Sequence, residues 1–389
     1  MLLPVIRSSL KGCVSKHSPL TRIGLKRFFG STTLQSPVED LTDPKIAYRK
    51  FEKASLDRKS ESYGMVTTVT RTSMEVQMCK KSMVELGYFK DPFLECFVKE
   101  NHTEKFDAGR RILYWMRLLS MRSMQEEFLR TYKQEESLGP VQIINLGCGF
   151  DSTAFNLLNN SKEYAPFSYY EIDLPEVAET KAELIRSNHK LRNLLTGMDR
   201  DQSQKHMLKS DRYALTSCDI TDFKRLHEVL LSMGVDPSKP TLVTTEYVLA
   251  YIETSQVEAL IDYFSVHFRN ITFVDFCFSN FLTEFGQKEL DFFVKRGIPF
   301  KAHSHYLTPE IACQTYRKQG FKSENLSMDH IFKSCISQRE RTRINSIEAY
   351  EDIQDYFKQK MRHSYVYLSQ KLHAAPRHEL SLSAAFRRH

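Results

Sequence analysis

From residue 141 onward, short apolar runs alternate with longer stretches of helical period. Residues 141–146, 168–172, 213–217, 241–245, 271–276 and 365–368 read as strands, and 152–158, 175–187, 222–232, 255–267 and 308–319 as helices. Strands that alternate with helices predict an α/β fold, with a mostly parallel sheet covered on both faces. Upstream, Met74, Met78, Met83 and Leu86 recur at helical spacing until Asp91-Pro92 breaks the run. Ile112, Leu113, Trp115, Met116, Leu119 and Met124 mark a second amphipathic helix. Residues 72–137 are therefore expected to form a helical N-terminal cap. The body is expected over 138–370, with a polar inserted loop at 188–211, a substrate-side lid over 279–345 and a loose, disordered tail at 371–389. Residues 39–71 read as a polar linker.

Composition adds little beyond a globular protein with ample core material. The chain has 389 residues, 41% hydrophobic and 12% aromatic. No run approaches the ~18 apolar residues of a membrane span. The eight cysteines form no CxxC pair and no histidine cluster accompanies them, so neither a metal site nor a disulfide framework is expected.

Charge changes the picture more. The net +7 comes almost entirely from residues 1–38, which carry Arg7, Lys11, Lys16, Arg22, Lys26 and Arg27 and no Asp or Glu. The body is close to neutral and offers no basic patch for DNA. A basic, serine-rich, acid-free leader has the composition of a mitochondrial presequence, and a mitochondrial location is expected from it, with the cytoplasm as the alternative.

The candidate chemistry lies at successive strand ends. In INLGCGFDSTAFNL, Gly147 and Gly149 follow a strand and precede a helix, where glycine permits a tight turn and close approach of a ligand. In YYEIDLPEV, Glu171 and Asp173 end the next strand, where an acid can accept both hydroxyls of a ribose. Asp219 and Ile220 end the third strand, suited to an adenine amino group and the base face. Glu246 ends the fourth, in LVTTEYVLAYI. Ligands of open parallel sheets bind at this edge. Asp151 in the first turn would repel a phosphate, which disfavours a dinucleotide. It favours a cofactor carrying an amine and a sulfonium, S-adenosylmethionine.

These segments, together with MCKKSMVELGYFKDPF and YWMRLL, resemble the leucine carboxyl methyltransferases over about residues 72–370. The resemblance implies a Rossmann-like methyltransferase fold with a seven-stranded sheet. It also implies S-adenosylmethionine as methyl donor and, as acceptor, a protein with a C-terminal leucine, the catalytic subunit of protein phosphatase 2A. Position by position, it implies cofactor contacts at Lys80, Arg117, Gly147, Gly149, Asp173, Asp219, Ile220 and Glu246. Tyr251 matches a tyrosine near the transferred methyl, and Arg117 and Tyr251 are the implied catalytic pair. A monomer is expected. After the fifth strand the family reads close to Asn-Tyr-Glu-Gln, whereas this chain has Asp275-Phe276-Cys277-Phe278. Two other readings follow from that departure and from related families. One is a non-catalytic or retargeted mitochondrial cofactor-binding protein. The other is a carboxyl methyltransferase of a hypermodified tRNA guanosine, whose members carry a kelch-propeller region; no repeats are read here.

Overall fold

Buried backbone must be paired, and the strands of this chain meet that demand in a single mixed sheet. The computed structural model describes residues 68–98, 106–134, 139–198, 208–295, 298, 300–373, 376 and 379–386. The leader, most of the linker and part of the inserted loop lie outside the described residues.

The sheet has eight strands in the order β3-β4-β2-β1-β5-β6-β8-β7. They are β1 (Val141–Leu146), β2 (Phe167–Asp173), β3 (Leu208–Lys209), β4 (Tyr213–Ser217), β5 (Thr241–Glu246), β6 (Asn270–Phe278), β7 (Lys322–Ser327) and β8 (Ser364–Leu372). β1, β2, β4, β5 and β6 are parallel, while β3, β8 and β7 each pair antiparallel with a neighbour. The seven strands expected become eight because two-residue β3 forms within the polar stretch taken for a loop. The strand order reverses between β1 and β5, so the crevice beyond their carboxyl ends is the place for a ligand.

Strands β1 and β6 are buried along their whole length, as both-face coverage requires. One face packs on α1 (Thr68–Glu85), α2 (Ala108–Lys133) and α4 (Pro175–Ser187), with α3 (Thr153–Asn159) beside them. The other face packs on α5 (Phe223–Met233) and α6 (Thr254–His267). Helix α2 starts on Asp107, whose carboxylate accepts from the Arg110 backbone N–H, and it buries Trp115, Met116, Met124 and Phe128 on its inner face.

Beyond β6 lie α7 (Glu284–Lys295), α8 (Pro309–Lys318), α9 (Gln338–Ile347) and α10 (Asp355–His363). The tail departs from expectation. After β8 the chain places Leu380, Leu382, Ala385 and Phe386 in the core beside the cap helices. Leu382 and Ala385 lie on a short helix, Leu382–Ala385, with Leu380 before it and Phe386 after it, which the polar surroundings concealed. Phe386→Ala is therefore expected to destabilise the protein by ~3–5 kcal/mol, as for a buried aromatic. Urea unfolding checks this; a loss under ~1 kcal/mol, the range of surface changes, would mean that the tail does not belong to the core.

Candidate active site

The residues singled out for the site, Glu171 excepted, lie on one cleft. Lys80, Arg117, Gly147, Gly149, Asp173, Asp219, Ile220, Glu246 and Tyr251 all line it. The turn after β1 makes it possible. Gly147 and Gly149 both have left-handed backbones, at φ 69° and 49°. A Cβ on Gly147 would stand 2.1 Å from Val248 Cγ2, so the turn packs directly on the chain leaving β5.

Asp173 is tied into that turn. Its Oδ2 accepts from the Gly149 N–H at 2.7 Å and its Oδ1 from the Leu174 N–H at 2.7 Å. Burial pushes its carboxyl above the usual range, and the two N–H donors oppose the shift. Each oxygen keeps a further lone pair for a ribose hydroxyl. Glu171, the other acid of that strand, instead lies fully buried beneath, accepting from Tyr213 Oη at 2.6 Å and paired with Lys181 at 2.7 Å. Asp219 is exposed at the cleft rim, where its Oδ1 accepts from the Thr221 N–H and hydroxyl; Ile220 is buried beside it.

The acid of the first turn is not a bare charge. Asp151 meets Lys80 Nζ at 2.5 Å, and both are buried. Burial alone would raise the Asp151 carboxyl, but Lys80 outweighs it and holds the group well below the carboxylate range. The repulsion argument against phosphate is corrected accordingly, because a lysine 71 residues away neutralises the acid.

Arg117 stands at the boundary of this cleft and a second one. Its Nε donates to Glu246 Oε2 at 2.7 Å. Its guanidinium carbon lies 5.2, 5.6 and 5.9 Å from the ring centres of Tyr247, Phe276 and Tyr114. Burial disfavours the charge, yet Glu246 outweighs it and holds the guanidinium above its ordinary range. Tyr251 also borders both clefts, and burial pushes its phenol up to about 12, so it stays a neutral donor at neutral pH.

The second cleft is lined by Glu75, Arg110, Leu113, Tyr114 and Met328, by Phe292, Phe293, Tyr356, Phe357 and Lys360, and by the shared Arg117 and Tyr251. Phe292, Phe293, Ile298 and Met328 come from the expected lid; Tyr356, Phe357 and Lys360 come from beyond it. Tyr114, Tyr247 and Phe276 were not singled out as site residues. Tyr247 carries one signal, a left-handed backbone at φ 65° in a residue other than glycine, right after Glu246. Gln77 was missed too. It sits one turn before Lys80 on α1, lines the first cleft, and has a buried Oε1 without a hydrogen-bond partner.

The first cleft fits S-adenosylmethionine on its own features. It is lined by the left-handed glycine turn, by a strand-end carboxylate tied to that turn and by the unpartnered buried acceptor of Gln77. The fold and site thus define an S-adenosylmethionine-dependent methyltransferase. The chain belongs to the leucine carboxyl methyltransferase family, whose sequence profile matches residues 68–265. It is 26% identical to human tRNA wybutosine-synthesizing protein 4 over 74% of this chain, spanning 42% of that protein's length. It is also 26% identical to leucine carboxyl methyltransferase 1 of Rattus norvegicus, over 76% of this chain and 87% of that protein. Among solved structures, a plantazolicin methyltransferase crystallised with a desmethyl substrate analogue and S-adenosylhomocysteine is remotely similar, with a TM-score of 0.40 and 13% identity over 78% of this chain and 98% of that one.

Two tests follow. Arg117→Ala is expected to abolish donor binding, because it removes the cation from the cleft wall and leaves half-buried Glu246 unpaired at the boundary; calorimetry with S-adenosylmethionine reads this, and unchanged affinity would contradict it. The second concerns Asp275, which accepts from Thr245 Oγ1 at 2.7 Å and Tyr306 Oη at 2.6 Å inside β6. Burial pushes it up to about 6 against those two hydrogen bonds. Its folded value thus lies above its unfolded one of about 3.9, so its stabilising effect is full below ~pH 4 and lost as pH rises through about 6. Asp275→Asn should flatten the fall in unfolding free energy between about pH 4 and 6.5. An equal fall in both proteins would assign it to another group.

Proposed function

We propose that this chain methylates a C-terminal leucine carboxylate of a protein, with the phosphatase 2A catalytic subunit as acceptor. The observation that carries this reading is the boundary at Arg117 and Tyr251, which line both the donor cleft and a second cleft with cationic and aromatic walls. Similarity to rat leucine carboxyl methyltransferase 1 over 87% of that protein supports the acceptor class.

A peptide α-carboxylate has a pKa of about 3.5, so it is ionised at neutral pH and needs no general base. S-adenosylmethionine, when bound, supplies an electrophilic methyl on a sulfonium. In this reading the chain's own work is binding, alignment and exclusion of water. Asp173 and Asp219 hold the ribose and base side, with Ile220 against the base. The Gly147-Cys148-Gly149 turn and Lys80 hold the methionine end. Arg117, its charge fixed by Glu246, and Tyr251, a neutral donor, orient the acceptor oxygen toward the methyl. Alignment of this kind is worth on the order of 7–11 kcal/mol. The basic, acid-free leader supports a mitochondrial setting.

A second reading has support from the equal identity to human tRNA wybutosine-synthesizing protein 4, which favours a tRNA-borne carboxylate. One assay separates them. Full-length protein is incubated with methyl-labelled donor and either the phosphatase subunit or tRNA carrying the carboxylate precursor. Base-labile volatile label on the phosphatase, lost when its terminal leucine is deleted, is the expected result. Label only on tRNA would establish the second reading. Label on neither, with donor binding intact, would point to a retargeted or non-catalytic protein.

A further inference from the structure

The acids on the wall of the donor cleft are engaged before any ligand arrives. Asp151 pairs with Lys80 and Glu246 with Arg117, Asp173 accepts from the Gly149 and Leu174 N–H groups, and Asp219 accepts from Thr221. Gln77 differs from them. It lines the same cleft, is only 4% exposed, and its Oε1 has no hydrogen-bond partner. Buried polar groups are normally paired, and leaving one unpaired costs stability, so this oxygen marks a place where a donor group belongs.

The position of Gln77 on α1 says which part of a ligand it meets. Ser73, Gln77 and Lys80 fall at i, i+4 and i+7, share one face of the helix, and all line the cleft. Ser73 closes on the glycine turn: its Oγ lies 3.2 Å from where a Cβ on Gly149 would stand. Lys80 reaches Asp151, two residues past Gly149, at 2.5 Å. Gln77 comes between these two contacts along the helix, at the end of the cleft that the reading above gives to the methionine portion of the donor. That portion is a zwitterion. Its α-amino group, with a pKa of about 7.7–8.0, is mostly an ammonium at neutral pH and has donors only. Lys80, a cation, suits the carboxylate of such a group, and an amide oxygen on the same helix face suits the ammonium.

We propose that Gln77 is a specificity-determining residue for the donor: its Oε1 accepts from the α-ammonium of the methionine portion, so that the cleft selects ligands whose amino-acid end is intact. The inference rests on the donor orientation given above and is the same for either acceptor.

The test is calorimetry at neutral pH on the full chain with two ligands, S-adenosylhomocysteine and its deamino analogue, in which hydrogen replaces the α-ammonium. The wild-type protein is compared with Gln77→Met, which keeps the length of the side chain without the amide, and with Gln77→Glu, which keeps an acceptor oxygen at that reach. Gln77→Met is expected to weaken S-adenosylhomocysteine about tenfold, equivalent to about 1.4 kcal/mol, and to leave the deamino analogue unchanged. The unchanged analogue also reports that the cleft of the variant is intact. Gln77→Glu should retain the wild-type affinity for S-adenosylhomocysteine within about threefold, because hydrogen bonds to a carboxylate are at least as strong as those to an amide. Equal losses for both ligands in Gln77→Met, or no loss for either, would overturn the assignment and leave the donor class standing. No binding of S-adenosylhomocysteine by the wild-type protein would overturn it together with the donor reading.

Discussion

The arrangement depends on one ion pair. Arg117 reaches from cap helix α2 to Glu246 at the end of β5, and so ties the cap to the sheet where two clefts meet. A half-buried pair of this kind is a constraint more than a source of stability, since desolvation offsets much of the attraction. Its value is positional. With Glu246 on one side and Tyr114, Tyr247 and Phe276 around it, the guanidinium has little freedom. Arginine suits the place because its planar group can stack on rings and donate in a fixed fork at once.

The same logic runs through the donor cleft. Asp151 is held by Lys80, Asp173 by backbone N–H groups of the turn it faces, and Gly147 by the close approach of Val248. Each acid is fixed before any ligand arrives, as expected of a site that works by alignment. The apolar run Phe276-Cys277-Phe278 acquires a physical role here. Phe276 gives Arg117 a ring to lie against, while Asp275 before it turns into the β5–β6 interior toward Thr245 and Tyr306.

What could be read from the chain divides along physical lines. The central strands were legible because each is an apolar run with turn signals on either side, and 141–146 and 213–217 coincide with β1 and β4. The strand-end residues were legible for the same reason, since parallel topology alone brings Gly147, Asp173, Asp219 and Glu246 to one edge. Strand β7 was not, because KSENLS is a polar, partly exposed edge with no apolar run. Helix α9, with Ile344 as its buried residue, carries no stripe either. The second cleft was hidden for another reason. Arg110, Phe276, Phe292 and Lys360 lie on four separate elements, and nothing local to any of them signals the others. The Asp151–Lys80 pair shows how such long-range partners can reverse a local argument.

The central claim is that the donor's sulfur lies at the boundary shared by the two clefts. A crystal structure of the full chain with S-adenosylhomocysteine tests it most directly. The account predicts ribose hydroxyls on Asp173, the homocysteine portion along the Gly147-Cys148-Gly149 turn, and the sulfur beside Arg117 and Tyr251, facing the second cleft. A ligand bound with its sulfur turned away from that boundary, or seated outside the strand-end crevice, would contradict it.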